Sequence, residues 1–304
     1  MKSEFEKLRK KAFVFISPLL VITSAFMLLV LVSDIVLAQE NEKTQKDYED
    51  FDPANFDETS INIINEWLPL KPLTRFVYEG TTVEDGETFA HRIIITVTDF
   101  TKVIDGVNCV VSWDLDYSDG ELVEAELAFF AQDKTGNVWR FGEYPVEYEE
   151  GKIIDIPCWI HSIEGSIAGI EMYANPKVGM PSYSQGWAPS VDFTDRAQVD
   201  ETGVKNCVPL DCYENVVVIA EISLSEPDAQ QLKYFAPNVG NIRVGWRGEG
   251  EVTQEVLELV EIEQLVLGAL DEARSGALEL EKHAYEVSNE VYSKTEPMVR
   301  RSTD

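Results

Sequence analysis

Apolar and polar residues alternate over several stretches of this chain. Phe89, His91, Ile93, Ile95 and Val97 occupy one phase of a period-two pattern, with Ala90, Arg92, Thr96 and Thr98 in the other. Successive side chains of a strand point to opposite faces, so this spacing predicts a strand with one buried side. Val123, Ala125, Leu127, Phe129 and Ala131 repeat the pattern against Glu124, Glu126 and Gln132. Turn signals separate the runs. Asp105-Gly106 lies between β-branched segments and marks a hairpin, because Gly tolerates positive φ. Ser118-Asp119-Gly120 and "DKTGN" at residues 133–137 reverse the chain twice more. Alternation returns in "NVVVIAEISL", "QLKYFAPNVGNIRVGW" and "VTQEVLELVEIEQL". Consecutive hairpins over residues 61–265 predict a mainly β fold: a curved antiparallel up-and-down sheet, half-barrel or barrel.

A different period follows. Val266, Leu270, Ala273, Ala277, Leu280, Ala284, Val287 and Val291 recur in alternating steps of four and three, which predicts an amphipathic C-terminal helix within residues 266–304. Leu278, Tyr285 and Tyr292 widen the stripe and its alanines make it shallow, which favours docking on the chain's own sheet. The sustained heptad also allows a homo-oligomer through residues 266–292. Gly276 costs about 1 kcal/mol relative to Ala inside such a helix, so packing must support it.

Residues 144–200 lose regularity and collect Pro176, Pro181, Pro189, Gly179 and Gly186. A long ordered loop of this kind is often functional. Trp159, Tyr173, Tyr183, Trp187 and Phe193 are the candidate ligand-binding residues there, lining the mouth of a pocket; the competing reading is that they plug one end of a barrel.

At the other terminus, "KLRKK" precedes residues 12–32, which carry no charge. Residues 1–38 therefore read as a signal peptide, cut after Ala38, or as a retained membrane anchor. Either way the remainder is exported, to the periplasm, the cell surface or the medium. Residues 39–60 are polar and acidic and read as a flexible linker.

The chain has 304 residues and is 44% hydrophobic, enough for one main domain with a full core. Its 55 acidic residues outnumber 25 Lys and Arg, giving a net charge of -30. That charge repels polyanions and excludes nucleic acid as a partner; it reads as a hydrated acidic surface. The four cysteines suit an oxidising compartment. Cys207 and Cys212 enclose "VPLD" and predict a local disulfide, while Cys109 and Cys158 read either as a second bridge or as buried thiols. Asp114, Asp116 and Asp119 are candidates for a weak surface calcium site, or else solvated turn residues. Counted from Asp114, the sixth position is Asp119 rather than the Gly an EF-hand needs.

Catalytic constellations are absent. No nucleophile elbow, phosphate loop, zinc spacing or redox motif is present, and His91, His161 and His283 read as core or surface residues. Glu124 and Glu126 share one strand face, which in an acidic chain carries little weight for glycoside hydrolysis. The chain reads as a non-enzyme without a cofactor, calcium aside.

The segment "WLPLKPLTRFVYEG" at residues 67–80 resembles the opening of an uncharacterised family of secreted or lipid-anchored bacterial and archaeal proteins. In that pattern, Pro-Leu-x-Pro-Gly-x-x-Trp-x-Tyr leads into the first strand; here Leu73 and Phe76 stand at the Gly and Trp positions. The resemblance extends to about "NIRVGWRG" and implies an exported all-β protein. No lipid-attachment cysteine follows the signal segment, a departure from the anchored members. The strand order is also similar to the half-barrels that carry lipids or lipoproteins across the periplasm, a fold-level analogy. The expectation is an exported binding protein for an apolar or amphipathic ligand. The alternatives are a cell-surface assembly protein using the helix and acidic face, and a calcium-binding surface protein.

Overall fold

β1 (Thr74–Glu84), β2 (Glu87–Ile104), β3 (Val107–Ser118), β4 (Glu121–Gln132) and β5 (Val138–Glu149) follow one another as antiparallel hairpins. The computed structural model describes residues 46–84, 86–223 and 228–301. The signal or anchor segment at residues 1–38 and residues 39–45 of the acidic stretch lie outside the described residues. Among the described residues, no helix is long and apolar enough to cross a membrane.

Beyond β5 come the short β6 (Lys152–Asp155), β7 (Trp159–Ile160) and β8 (Ile167–Met172), all paired with β5. A second arm consists of β11 (Arg196–Cys207), β12 (Cys212–Ile222), β13 (Gln230–Ala236), β14 (Gly240–Arg247) and β15 (Thr253–Gln264). The arms meet where β1 pairs with β15, from Thr74 opposite Gln264 to Glu84 opposite Thr253. The expected hairpin turns are present, with Asp105 and Gly106 at φ 46° and 80° and Asp119 and Gly120 at 48° and 84°. Positive φ at both central residues gives the turn twist that matches paired strands.

The two free ends of the sheet are joined by the irregular segment between the arms. β9 (Tyr183–Ser184) pairs with β11, and β10 (Gly186–Trp187) pairs with β8. Only Gln185 separates them, so one short strap links both edges and the sheet is a nearly closed barrel. The strap lies so close to β8 that a Cβ on Gly169 would sit 2.2 Å from the Gln185 carbonyl carbon. A strand edge left open invites pairing with other chains; closure removes most of it.

Directly paired residues share a sheet face. One row is Trp113, Leu127 and Tyr144, and the next is Phe76, Ile95, Asp114 and Glu126. The first row faces outward beneath α1 (Leu267–Val287). Ala273, Ala277 and Ala284 of the helix are fully buried, and a Cβ on Gly276 would meet the Trp113 ring at 2.3 Å. The small-residue stripe therefore allows close docking on the chain's own sheet, as the helical spacing predicts. Lys102 on β2 is completely buried there, reaching Glu281 at 3.3 Å and the Glu296 carbonyl at 2.7 Å. Asp99 accepts from Arg274 and Arg300, and β16 (Val299–Arg300) adds to β2, pinning the tail.

Because α1 covers the apolar phase of β3 and β4 from outside, the acidic phase points inward. Here the structure corrects the expectation of an oily interior and an acidic exterior: the interior is partly acidic. A second difference lies at residues 46–60, expected to belong to a flexible linker. Phe51 and Phe56 anchor this stretch, with the Phe51 ring 4.1 Å from His161 and the Phe56 ring 5.3 Å from Phe141. Two aromatic side chains in an acidic run bury enough apolar surface to order it. The Cys207–Cys212 disulfide is formed across the β11–β12 turn, and Cys109 and Cys158 are buried free thiols.

Candidate functional site

The barrel interior holds a partly open chamber of about 350 Å³, within the range of small-molecule sites. Its walls differ in chemistry because neighbouring strands bring different residue types inward. β1 and β2 contribute Phe76, Tyr78, Ile93 and Ile95, and Phe235, Val244 and Leu257 extend this apolar wall from the second arm. Beside them on the same curved sheet β3 and β4 contribute Asp114, Asp116, Glu124 and Glu126, with Asp114 paired next to Ile95 and Asp116 next to Ile93; Arg140 of β5, Glu171 of β8 and Lys233 of β13 complete the lining. Tyr78 is fixed by donating its hydroxyl to the Asn241 carbonyl at 2.8 Å.

The two cations are matched locally. Arg140 Nη1 donates to Glu143 at 2.6 Å and Nε to Glu171 at 3.0 Å. Lys233 lies 2.6 Å from Glu221, whose other oxygen accepts from Gln185 of the strap. Burial alone opposes charge on Glu171, yet Arg140 and Lys233 hold its carboxyl below the usual range. His91 sits at one end of the acidic wall, with Nε2 2.7 Å from Asp116 and Nδ1 3.1 Å from Glu255. Burial disfavours its charge, but the hydrogen bonds to these two carboxylates outweigh it and raise the imidazole to about 10.

The remaining acids are under-compensated. Burial pushes Asp114 up to about 7 despite the hydrogen bond from Ser112 Oγ at 2.5 Å. Burial, reinforced by Glu143 and Asp116, pushes Glu124 up to about 8. Glu126 rises well above the carboxylate range for the same reason, and its Oε1 is buried without a hydrogen-bond partner. Low dielectric and neighbouring like charges both disfavour the ionised form, so these groups hold protons that exposed acids release.

The residues singled out by sequence fall in three places. Asp114 and Asp116 lie inside the barrel, whereas Asp119 sits in the β3–β4 turn and accepts from the Ala90 amide at 2.7 Å. The three do not gather around one point, and no cluster of metal-ligating side chains occurs among the described residues. Trp159, Tyr173, Tyr183, Trp187 and Phe193 surround the strap. Trp159 lies 4.7 Å from Phe193, and Tyr173 lies 4.6 Å from Tyr183, ring centre to ring centre. A Cβ on Gly186 would collide with Trp159 and Phe193, so these rings pack the closure of the barrel, and none of the five lines the chamber. His161 accepts from the Ala168 amide at 3.0 Å, and His283 lies 2.8 Å from the Tyr144 hydroxyl under the helix.

Sequence reasoning missed Glu126, Arg140, Glu171 and Lys233 as one group, since four strands spread over residues 121–236 supply them. One signal was present. The Asp119-Gly120 turn sets Asp114 against Glu126 and Asp116 against Glu124. Like charges directly opposite are destabilising on a strand pair, so two stacked acid pairs mark a face with a use other than solvation.

No protein-family model matches the chain, and no curated protein sequence matches it. Among solved structures, a Bacteroides fragilis protein with a YmcC-like fold, inferred to be exported, is 12% identical with a TM-score of 0.40. The match covers 66% of this chain and 99% of that one. A Parabacteroides distasonis protein inferred to be a lipoprotein is 12% identical with a TM-score of 0.30, again over 66% of this chain and 99% of the other.

Proposed function

We propose that this chain is an exported, non-enzymatic binding protein whose barrel holds an amphipathic ligand. The observation that carries the reading is the mixed lining of one pocket: Phe76, Tyr78, Ile93 and Ile95 border it together with Asp114, Glu124 and Glu126. An apolar wall favours a hydrocarbon portion, at roughly 25 cal/mol per Å² removed from water. The polar wall orients the other end, the usual division of labour in small-molecule sites. The Cys207–Cys212 bridge and the uncharged stretch at residues 12–32 support export to an oxidising compartment.

Native mass spectrometry of the full chain tests this reading, before and after extraction with organic solvent. A co-purified small molecule that extraction removes is the expected result. A single bare mass in both spectra, with no uptake of added amphiphiles, would contradict it.

A further inference from the structure

The chamber wall carries six carboxyl groups, those of Asp114, Asp116, Glu124, Glu126, Glu171 and Glu255, against the cations of Arg140 and Lys233. The pairing is uneven. Arg140 pairs with Glu143 and Glu171, Lys233 pairs with Glu221, and His91 takes Asp116 and Glu255. Among the described residues that leaves Asp114, Glu124 and Glu126 without an ion pair. Glu126 adds an independent sign: its buried Oε1 has no donor, although buried polar atoms in folded proteins nearly always have one. Its side chain lines both the main chamber and a second recess of about 300 Å³ beside Pro157 and Phe193. These acids stand in cross-strand register with apolar side chains: Asp114 is opposite Ile95 and Asp116 opposite Ile93.

We infer that the ligand of this chamber is a cationic amphiphile, with an ammonium-type head among Asp114, Glu124 and Glu126 and a hydrocarbon tail against Phe76, Ile93 and Ile95. The inference rests on the binding reading above and specifies its chemistry. An organic cation fits better than a metal ion, because no metal-ligating cluster occurs among the described residues, whereas an ammonium brings the N–H donor that Glu126 Oε1 lacks. An anionic head would meet three carboxyls that make no ion pair, and the two cations that could receive it are already held by glutamates. A neutral alcohol offers Glu126 Oε1 one O–H donor but carries no charge that would draw these carboxyls into their ionised form.

The test is calorimetry on the full chain in lipid nanodiscs, with empty nanodiscs as the blank, using octylammonium, octanol and octanoate as probes. The cation is expected to bind about tenfold tighter than octanol, with octanoate weakest. Glu126→Gln keeps the shape and removes the carboxyl that a bound cation would draw into its ionised form; it is expected to weaken the cation about tenfold and leave octanol unchanged. Glu124→Gln is the second variant and should act in the same direction. Tighter binding of octanol or octanoate, or equal weakening of cation and octanol by both variants, overturns the inference and leaves the binding reading standing. Binding of none of the three probes overturns both.

Discussion

Asp114 on β3 stands directly opposite Glu126 on β4, both inside the barrel and both held above the usual carboxylate range. A carboxyl with a raised folded-state pKa binds more protons folded than unfolded, so its contribution is present at low pH and lost as pH rises. For Asp114 that window runs from 3.8 to about 7, and for Glu124 from 4.5 to about 8. His91, raised from 6.5 to about 10, acts in the same direction: its contribution is full below 6.5 and lost through 10. Urea midpoints should therefore be lower at about pH 8.5 than at about pH 5.5. The Asp114→Asn, Glu126→Gln double variant should narrow the gap. An unchanged gap would show that these two acids are not the cause.

Lys102 and Glu281 form a buried pair beneath α1. Glu281 Oε1 also accepts from the Met298 amide and the Tyr292 hydroxyl, while Lys102 lies 4.1 Å from the Tyr292 ring centre. Glu281→Gln keeps an acceptor for both donors but strips the ammonium of its counter-charge. It should cost about 3 kcal/mol in chemical denaturation. Adding Lys102→Met removes the stranded charge and should restore most of that loss.

Helix docking depends on Gly276. Ala is intrinsically about 1 kcal/mol better than Gly inside a helix, yet a Cβ at 276 would penetrate the Trp113 ring. Gly276→Ala should therefore lower the melting temperature. Gly268→Ala, with nothing within 4 Å, is the control and should not lower it. If both variants stabilise the chain, α1 does not pack on β3 as described.

The strap makes a further prediction. Gly186→Ala would push against Trp159 and Phe193, loosening the link between β8 and β11. Amide exchange should accelerate in residues 183–187 and along β8, with β1 and β15 unchanged. Uniform acceleration across all strands would mean that the strap is not a local closure.

The strands and their turns were legible because period-two patterning and Asp-Gly turns are local features. The helix was legible for the same reason, including its docking, since its alanines are too small for a deep seam. The orientation of β3 and β4 was not. Alternation reveals two faces but not which lies inside, and Leu127 with Phe129 gave an apolar face that α1 rather than the lumen covers. The strap was also hidden. Its pairings are two residues long on each side of Gln185, too short for any periodicity to register. Leu73 is a similar case. It adopts φ 66°, a left-handed conformation that Gly takes without strain and that nothing in the local pattern announces. Phe76 and Tyr78, which follow it on β1, line the chamber.

The central claim is that the lumen is a ligand chamber with an apolar and an acidic wall. Crystals soaked with an ω-bromo-alkylammonium and measured at the bromine absorption edge address it directly. The account predicts an anomalous bromine peak inside the barrel against Phe76 and Ile95, with the amine toward Glu126. Bromine found solely on the outer surface, with the chamber unchanged, would contradict it.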